Sequence, residues 1–191
     1  MVGDLPEWLY PGPPGGWEAD MLDRLPAGAP RGVELIDGAL VWTPPQTASH
    51  MLTVRLLEQG FQVPGGLAVA WGMTVTLDCR QRPRADLLIV RRAALTLATR
   101  TFFPEDVHLV VEVASEPSID RDRTTKPAKY AQAGIKHFWR VEEEDDQPVV
   151  YTFELEPAVK AYVPTGIHRK RLQTFIGFEL DIDLDLKRVI G

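Results

Sequence analysis

The sequence predicts a mixed α/β domain with one central sheet flanked by helices, and three observations lead to that fold class. The near-continuous apolar runs LLIV at 87–90 and HLVVEV at 108–113 are what strands covered on both faces require. Segments with apolar residues at helical spacing alternate along the chain with β-rich segments. In VELIDGALVW, Asp37 and Gly38 separate two apolar runs and supply the positive-φ residues of a two-residue hairpin.

Residues 1–16 carry Pro6, Pro11, Pro13, Pro14, Gly12, Gly15 and Gly16, so this end is expected to form a flexible or irregular arm. Trp17, Met21, Leu22 and Leu25 recur at helical spacing, and Pro26 and Gly28 close the segment, predicting a short amphipathic helix before the hairpin. Ser49 is placed to cap a second helix in which Leu52, Leu56 and Leu57 share a face, ending near Gly60. The stretch LAVAWGMTVTL at 67–77 reads as β structure, followed by RADLLIVRR and VHLVVEVAS as strands. From about Asp120 to Ala133 the spacing returns to helical, with Gly134 where a left-handed cap is common. HFWRV is the next strand, EEEDD at 142–146 a solvated turn, and VVYTFEL, AVKAYV and FELDIDL are strands or edges. Residues 17–191 are thus expected to form a single domain.

A chain of 191 residues with 45% hydrophobic content can bury a core without staples. Cys79 is the only cysteine, so no internal disulfide can form, and no Cys/His spacing suits a structural zinc site. Its presence points to a reducing compartment. No signal-type segment is visible, and no apolar run approaches the roughly 20 residues that span a bilayer, so a cytoplasmic protein without a membrane partner is expected. The net charge of −6 disfavours a general electrostatic grip on nucleic acid. Local basic groups still occur: Arg80, Arg82 and Arg84 precede Asp86, and Arg121, Arg123, Lys126 and Lys129 follow Glu112. A third group, His168 to Arg171, reads as solvated surface charge.

Asp86 shares a strand face with Leu88 and Val90, and Glu112 with His108 and Val110. An unpaired buried carboxylate is costly, so such acids belong at a strand end, in an ion pair or on a metal. On adjacent strands they could converge on one divalent cation, since magnesium takes hard oxygen ligands and often only one or two carboxylates. Lys126 lies fourteen residues after Glu112, with Asp122 one helical turn before it. Spacing alone favours a surface ion pair there, worth a few tenths of a kcal/mol.

Other chemistries find less support. No G-x-S-x-G elbow occurs, and Ser115 reads as a turn residue. The glycine runs at 12–16 and 65–66 lack the lysine and setting of a phosphate loop. Trp42, Trp71 and Trp139 read as core or hairpin packing, and His50 as a cap or hydrogen-bonded surface residue.

Taken in order, the segments ELIDGALV, RADLLIV, VVEVASEPS and DRDRTTKPAKYAQAGIKHFWRV resemble the hairpin, two acidic strands, and helix-glycine-strand unit of the Uma-type restriction endonuclease family. That family is a bacterial branch of the PD-(D/E)xK nuclease superfamily, and the resemblance spans about Trp17 to Tyr151. It implies a restriction-endonuclease-like sheet and magnesium- or manganese-dependent hydrolysis of phosphodiester bonds in DNA. It further implies that Asp86, Glu112 and Lys126 are catalytic, with Asp86, Glu112 and the Val113 carbonyl as metal ligands. The family pattern puts a lysine two positions after the second acid. Ala114 stands there, so the resemblance moves the lysine to Lys126 on the helix. Glu34 matches a glutamate that supports the metal or a bound water, though a surface strand residue would look the same. His50 matches a frequent histidine and is a candidate substrate contact, while Asp122 is a supporting acid. Arg121 or Arg123 is placed to hold a neighbouring phosphate, and a homodimer is expected by analogy alone. Departures are Ala85 for proline, Arg140 for an aliphatic residue, and Val141–Glu142 for an ending in aspartate. The rivals are a non-catalytic interaction or regulatory protein on the same scaffold and a hydrolase of other phosphate compounds.

Overall fold

The computed structural model describes residues 12–30, 32–43, 45–116 and 118–190, so most of the expected N-terminal arm lies outside the described residues. Residues Ala19–Arg24 form a 3-10 segment rather than the expected amphipathic α-helix. Ala19 is the one buried residue in it, which leaves no apolar stripe to sustain longer helical turns. The hairpin forms as expected from β1 (Val33–Ile36) and β2 (Ala39–Trp42), with Ile36 paired to Ala39. Asp37 (φ 52°) and Gly38 (φ 75°) both take the left-handed conformation that the turn needs.

Helix α1 (Ala48–Gly60) begins one residue before Ser49, and its cap is Thr47, whose hydroxyl accepts the His50 amide at 3.2 Å. The Ser49 hydroxyl, displaced from the capping position, donates to Glu143 instead. The expected strand at 67–77 is divided. Gly72 (φ 61°) ends β3 (Leu67–Trp71), and β4 (Thr74–Val75) leaves to pair in parallel with β6 (Thr101–Phe102).

The remaining strands are β5 (Leu87–Arg91), β7 (Val107–Val113), β8 (His137–Glu144), β9 (Gln147–Glu156) and β10 (Ala161–His168). With β3 they make one mixed sheet in the order β10-β9-β8-β7-β5-β3, in which β7 and β8 alone run parallel. A parallel pair needs a crossover. Here it is a helix that contains a π-helical stretch (Arg121–Thr125), continues as α2 (Lys126–Gln132), and ends on Gly134 (φ 84°). The acidic run 142–146 is not all turn. Glu142 to Glu144 belong to β8, and only Asp145 (φ 51°) and Asp146 (φ 58°) make the hairpin, which aspartate tolerates by entering the left-handed region. Edge strand β10 carries Pro164 and a register shift before Gly166, features that blunt an exposed edge. A separate two-stranded hairpin, β11 (Arg171–Phe175) with β12 (Glu179–Asp183), and α3 (Lys187–Ile190) follow the sheet.

Alternation along the central strands divides the core between the two faces of the sheet. Leu87, Ile89, Val111 and Trp139 pack with Leu57 of α1 and Phe61 just after it, and with Leu172 and Ile182. Leu88, Val90, Val110 and Phe138 pack on the opposite side with Val75, Phe102 and Tyr130 of α2. Trp139 is fully buried as expected, its ring 5.6 Å from that of Phe61, but Trp71 at the end of edge strand β3 is 64% exposed.

His137 is buried with its ring 5.2 Å from that of His108, and its Nε2 has no hydrogen-bond partner among the described residues. Burial first, and then His108, pulls its pKa from 6.5 down to about 4. The unfolded chain therefore binds this proton more readily than the fold, so stability is lost as pH falls from 6.5 towards 4. The thermal midpoint of His137→Phe is expected to fall less over that window than the parent's; equal falls in both would contradict the assignment.

Candidate active site

The site forms where β5, β7, the hairpin β1–β2 and the crossover helix meet. Leu87 pairs with Val111, which sets Asp86, just ahead of β5, beside the end of β7. Asp86 Oδ2 accepts the Val113 amide at 2.8 Å, and Oδ1 lies 3.2 Å from Nε2 of His50 in the first turn of α1. Glu112 is held at both oxygens. The Tyr130 hydroxyl donates to Oε1 at 2.7 Å, and the Lys126 ammonium donates to Oε2 at 3.1 Å. The same ammonium lies 3.2 Å from Glu34 Oε2, 3.2 Å from the Arg84 carbonyl and 3.5 Å from Asp122 Oδ1. Glu34 Oε2 also accepts the Arg84 amide at 3.1 Å, and Arg121 Nε stands 3.9 Å from Glu34 Oε1. Glu34, Glu112, Asp122 and Lys126 are 1, 1, 2 and 5% exposed, so the ion pairs among them are interior ones.

Local structure explains these positions. Lys126 is the residue at which the wide turn closes, its amide reaching back five residues to the Arg121 carbonyl. Such π-turns recur inside helices at functional positions. Asp122, Lys126 and Tyr130, four residues apart in succession, all turn inward from this helix. Glu34 arrives from outside the six-stranded sheet, because Leu35 and Arg82 exchange backbone hydrogen bonds of 3.0 and 2.8 Å. The arginines of that segment secure the attachment. Arg82 grips Asp23 (2.9 and 3.1 Å) and the Ala19 carbonyl (2.8 Å), Arg80 donates to the Asp37 carbonyl (3.1 Å), and Arg84 donates to the Gly72 carbonyl (2.7 Å). This corrects the expectation of a free basic group before Asp86: loop carbonyls withdrawn from water need donors, and these side chains supply them.

The electrostatics follow from burial. Burial pushes the Glu112 carboxyl well above its ordinary range, Lys126 pulls it back in part, and Asp122, Asp86 and Glu34 push it further up. Asp122 is also raised by burial against the pull of Lys126. For Lys126, burial would lower the pKa, yet Glu112, Glu34, Asp122 and Asp86 together outweigh it and hold the ammonium above its ordinary value. The Tyr130 hydroxyl is raised by burial and then by Glu112, so it stays a proton donor.

Glu34, His50, Asp86, Glu112, Val113, Arg121, Asp122 and Lys126 line one small cavity of about 30 Å³. Every supporting residue singled out in the sequence is therefore at this place, and the Asp122–Lys126 pair is not the surface pair that spacing favoured. Arg123 is elsewhere, bound through two hydrogen bonds of 2.8 and 2.7 Å to Glu142. The third basic group is indeed surface charge, Arg169 pairing with Glu144 and Arg171 with Asp181. Tyr130 was not foreseen; its signal was a place four residues after Lys126 and eight after Asp122.

Among the described residues no three His, Cys, Asp or Glu groups stand as a ready metal cage. The donor chemistry nonetheless fits a hard divalent cation. Counted as ionised, Glu34, Asp86, Glu112 and Asp122 oppose Lys126 and Arg121, four charges against two, because Arg84 is turned onto Gly72. Asp122 Oδ1 is buried without a hydrogen bond, and the Asp86 side chain, 26% exposed, leaves the acids open to solvent on one side.

The chain thus sets two acids at the ends of neighbouring segments of a mixed sheet, with a lysine on the crossover helix beside them. The fold is that of a putative nuclease belonging to DUF820 from Anabaena variabilis ATCC 29413. The two share 11% identity and a TM-score of 0.60, over 82% of this chain and 87% of that one. Residues 19–185 match the family model described as "Uma2: Putative restriction endonuclease", and the chain belongs to that family. No curated protein matches it.

The Tyr130 hydroxyl is a fully buried donor to Glu112. Tyr130→Phe is expected to lower unfolding free energy by roughly 1–3 kcal/mol in denaturant titrations without added metal, as leaving a buried acceptor without its donor does. An unchanged midpoint would show that this bond contributes nothing.

Proposed function

We propose that this chain is a metal-dependent endonuclease that hydrolyses phosphodiester bonds in DNA. The observation that carries the reading is the meeting of Asp86 and Glu112, from adjacent strands, with the buried ammonium of Lys126 at one cavity. Asp86, Glu112 and the Val113 carbonyl would hold a magnesium or manganese ion, whose chemistry when bound is to acidify a water and offset phosphate charge.

The chain's own groups define the rest. The Val113 amide and His50 fix the direction of the Asp86 carboxylate, and Tyr130 fixes that of Glu112. Lys126, kept protonated by its acids, supplies a positive charge beside the cavity that would stabilise the charge gained in the reaction. It is not the group that takes the proton from water. The Arg121 side chain lines the cavity and is the better placed of the two candidate arginines to hold a neighbouring phosphate, since Arg123 is engaged by Glu142. Among the described residues no helix is long and apolar enough to cross a membrane. A homodimer acting on both strands, a single domain over 17–191 and a cytoplasmic setting complete this reading.

A second reading, a non-catalytic interaction or regulatory protein, has two observations in its favour: the lysine already neutralises part of the acid cluster, and the cavity is small. Incubation of supercoiled plasmid and single-stranded DNA with magnesium, manganese or chelator separates the two. The parent is expected to cleave with metal and not with chelator, and Asp86→Ala and Glu112→Ala are expected to lose at least about a hundredfold in rate, as loss of a principal transition-state stabiliser does. No cleavage with either metal, or an Asp86→Ala as active as the parent, rejects the nuclease reading.

A further inference from the structure

An ammonium has three N–H donors. Lys126 Nζ has four oxygens close to it: Glu112 Oε2 at 3.1 Å, Glu34 Oε2 and the Arg84 carbonyl each at 3.2 Å, and Asp122 Oδ1 at 3.5 Å. The fourth oxygen is left short, and Asp122 Oδ1 is the one buried without a hydrogen bond. Glu34 Oε2 also accepts the Arg84 amide and would not be freed if the lysine left it, whereas Glu112 bears its second donor, the Tyr130 hydroxyl, on its other oxygen. If Lys126 let go of Glu112, its three donors would match the three remaining oxygens, Asp122 would gain the bond it lacks, and Glu112 would keep its direction through Tyr130. A cation could then use the freed oxygen of Glu112 without any acid losing all its partners. The cavity, about 30 Å³, has room for little more than one water, so an entering ion must take up oxygens already in use.

We propose that Lys126 is the resident counter-cation of this acid cluster, that a divalent ion competes with it for Glu112, and that Asp122 is the acceptor to which the displaced ammonium moves. This rests on the reading of the cavity as a cation site. Asp122 is on this account a positioning residue that acts through Lys126 and does not touch the ion. Its buried, unsatisfied oxygen is the vacancy that makes the exchange a change of one hydrogen bond.

Titration calorimetry of the full chain with manganese ions tests this without reference to cleavage. Lys126→Met, which removes the competitor, is expected to bind manganese at least about tenfold more tightly than the parent. Asp122→Ala is expected to bind about tenfold more weakly, as loss of an outer partner of a metal ligand does. The decisive comparison is Asp122→Ala made in the Lys126→Met background, where its effect should vanish. A Lys126→Met that binds no tighter than the parent overturns the competition. Equal weakening by Asp122→Ala in both backgrounds shows that Asp122 acts by its charge alone, and overturns the exchange. In either case, parental binding that Asp86→Ala abolishes leaves the cation site standing; no manganese binding by parent or variants ends both. Circular dichroism checks folding, and should Lys126→Met not fold, Lys126→Gln, which keeps a donor and drops the charge, carries the same expectations.

Discussion

A single buried ammonium among three carboxylates is the constraint around which this structure is arranged. Removing any of these charges from water is costly, and the cost is offset only if each finds partners of good geometry. Lys126 therefore needs Glu112 from the central sheet, Glu34 from the hairpin, Asp122 from its own helix and a carbonyl from the segment before β5. Four separate stretches of chain are fixed relative to one another by one side chain. The acids in turn keep the lysine charged where an apolar interior alone would neutralise it.

Much of the surrounding architecture serves that convergence. The parallel pairing of β7 and β8 requires a crossover, and the crossover lays a helix over the face from which Glu112 projects. The π-turn ahead of Lys126 widens the helix where it must bring Asp122 and Lys126 to the same place. On the other side, the arginines at 80, 82 and 84 are spent on attaching the hairpin and the segment near Ala19, so that Glu34 arrives at a defined position. Positive charge that the sequence sets beside the acids is thus used for construction, and few cations near the cavity remain for an anionic ligand. A divalent ion supplied from solution would correct the same imbalance.

The parts of this arrangement visible in the sequence were those with a local cause. Asp37–Gly38 dictates its turn through backbone sterics, and the runs at 87–90 and 107–113 are apolar because both faces of the sheet are covered. Asp86, Glu112 and Lys126 were singled out through resemblance to a family; periodicity alone placed Lys126 and Asp122 on the surface. The misses have long-range causes. Arg82 looks like free charge until Asp23, fifty-nine residues away in sequence, is seen beside it. Ser49 reads as the cap only if the helix starts after it, and nothing local marks the Tyr130 hydroxyl as a partner of Glu112. A π-turn leaves no mark in apolar spacing, and Trp71 is exposed because its strand lies at an edge.

The central claim, that these buried acids form a cation site governed by Lys126, is met most directly by diffraction from crystals soaked in manganese chloride, with data collected at the manganese absorption edge. The account predicts one strong anomalous peak between the carboxylates of Asp86 and Glu112, with the lysine ammonium moved off Glu112 towards Asp122. An intact, well-ordered acid cluster with no peak, or a peak bound elsewhere while Lys126 keeps its hold on Glu112, would contradict it.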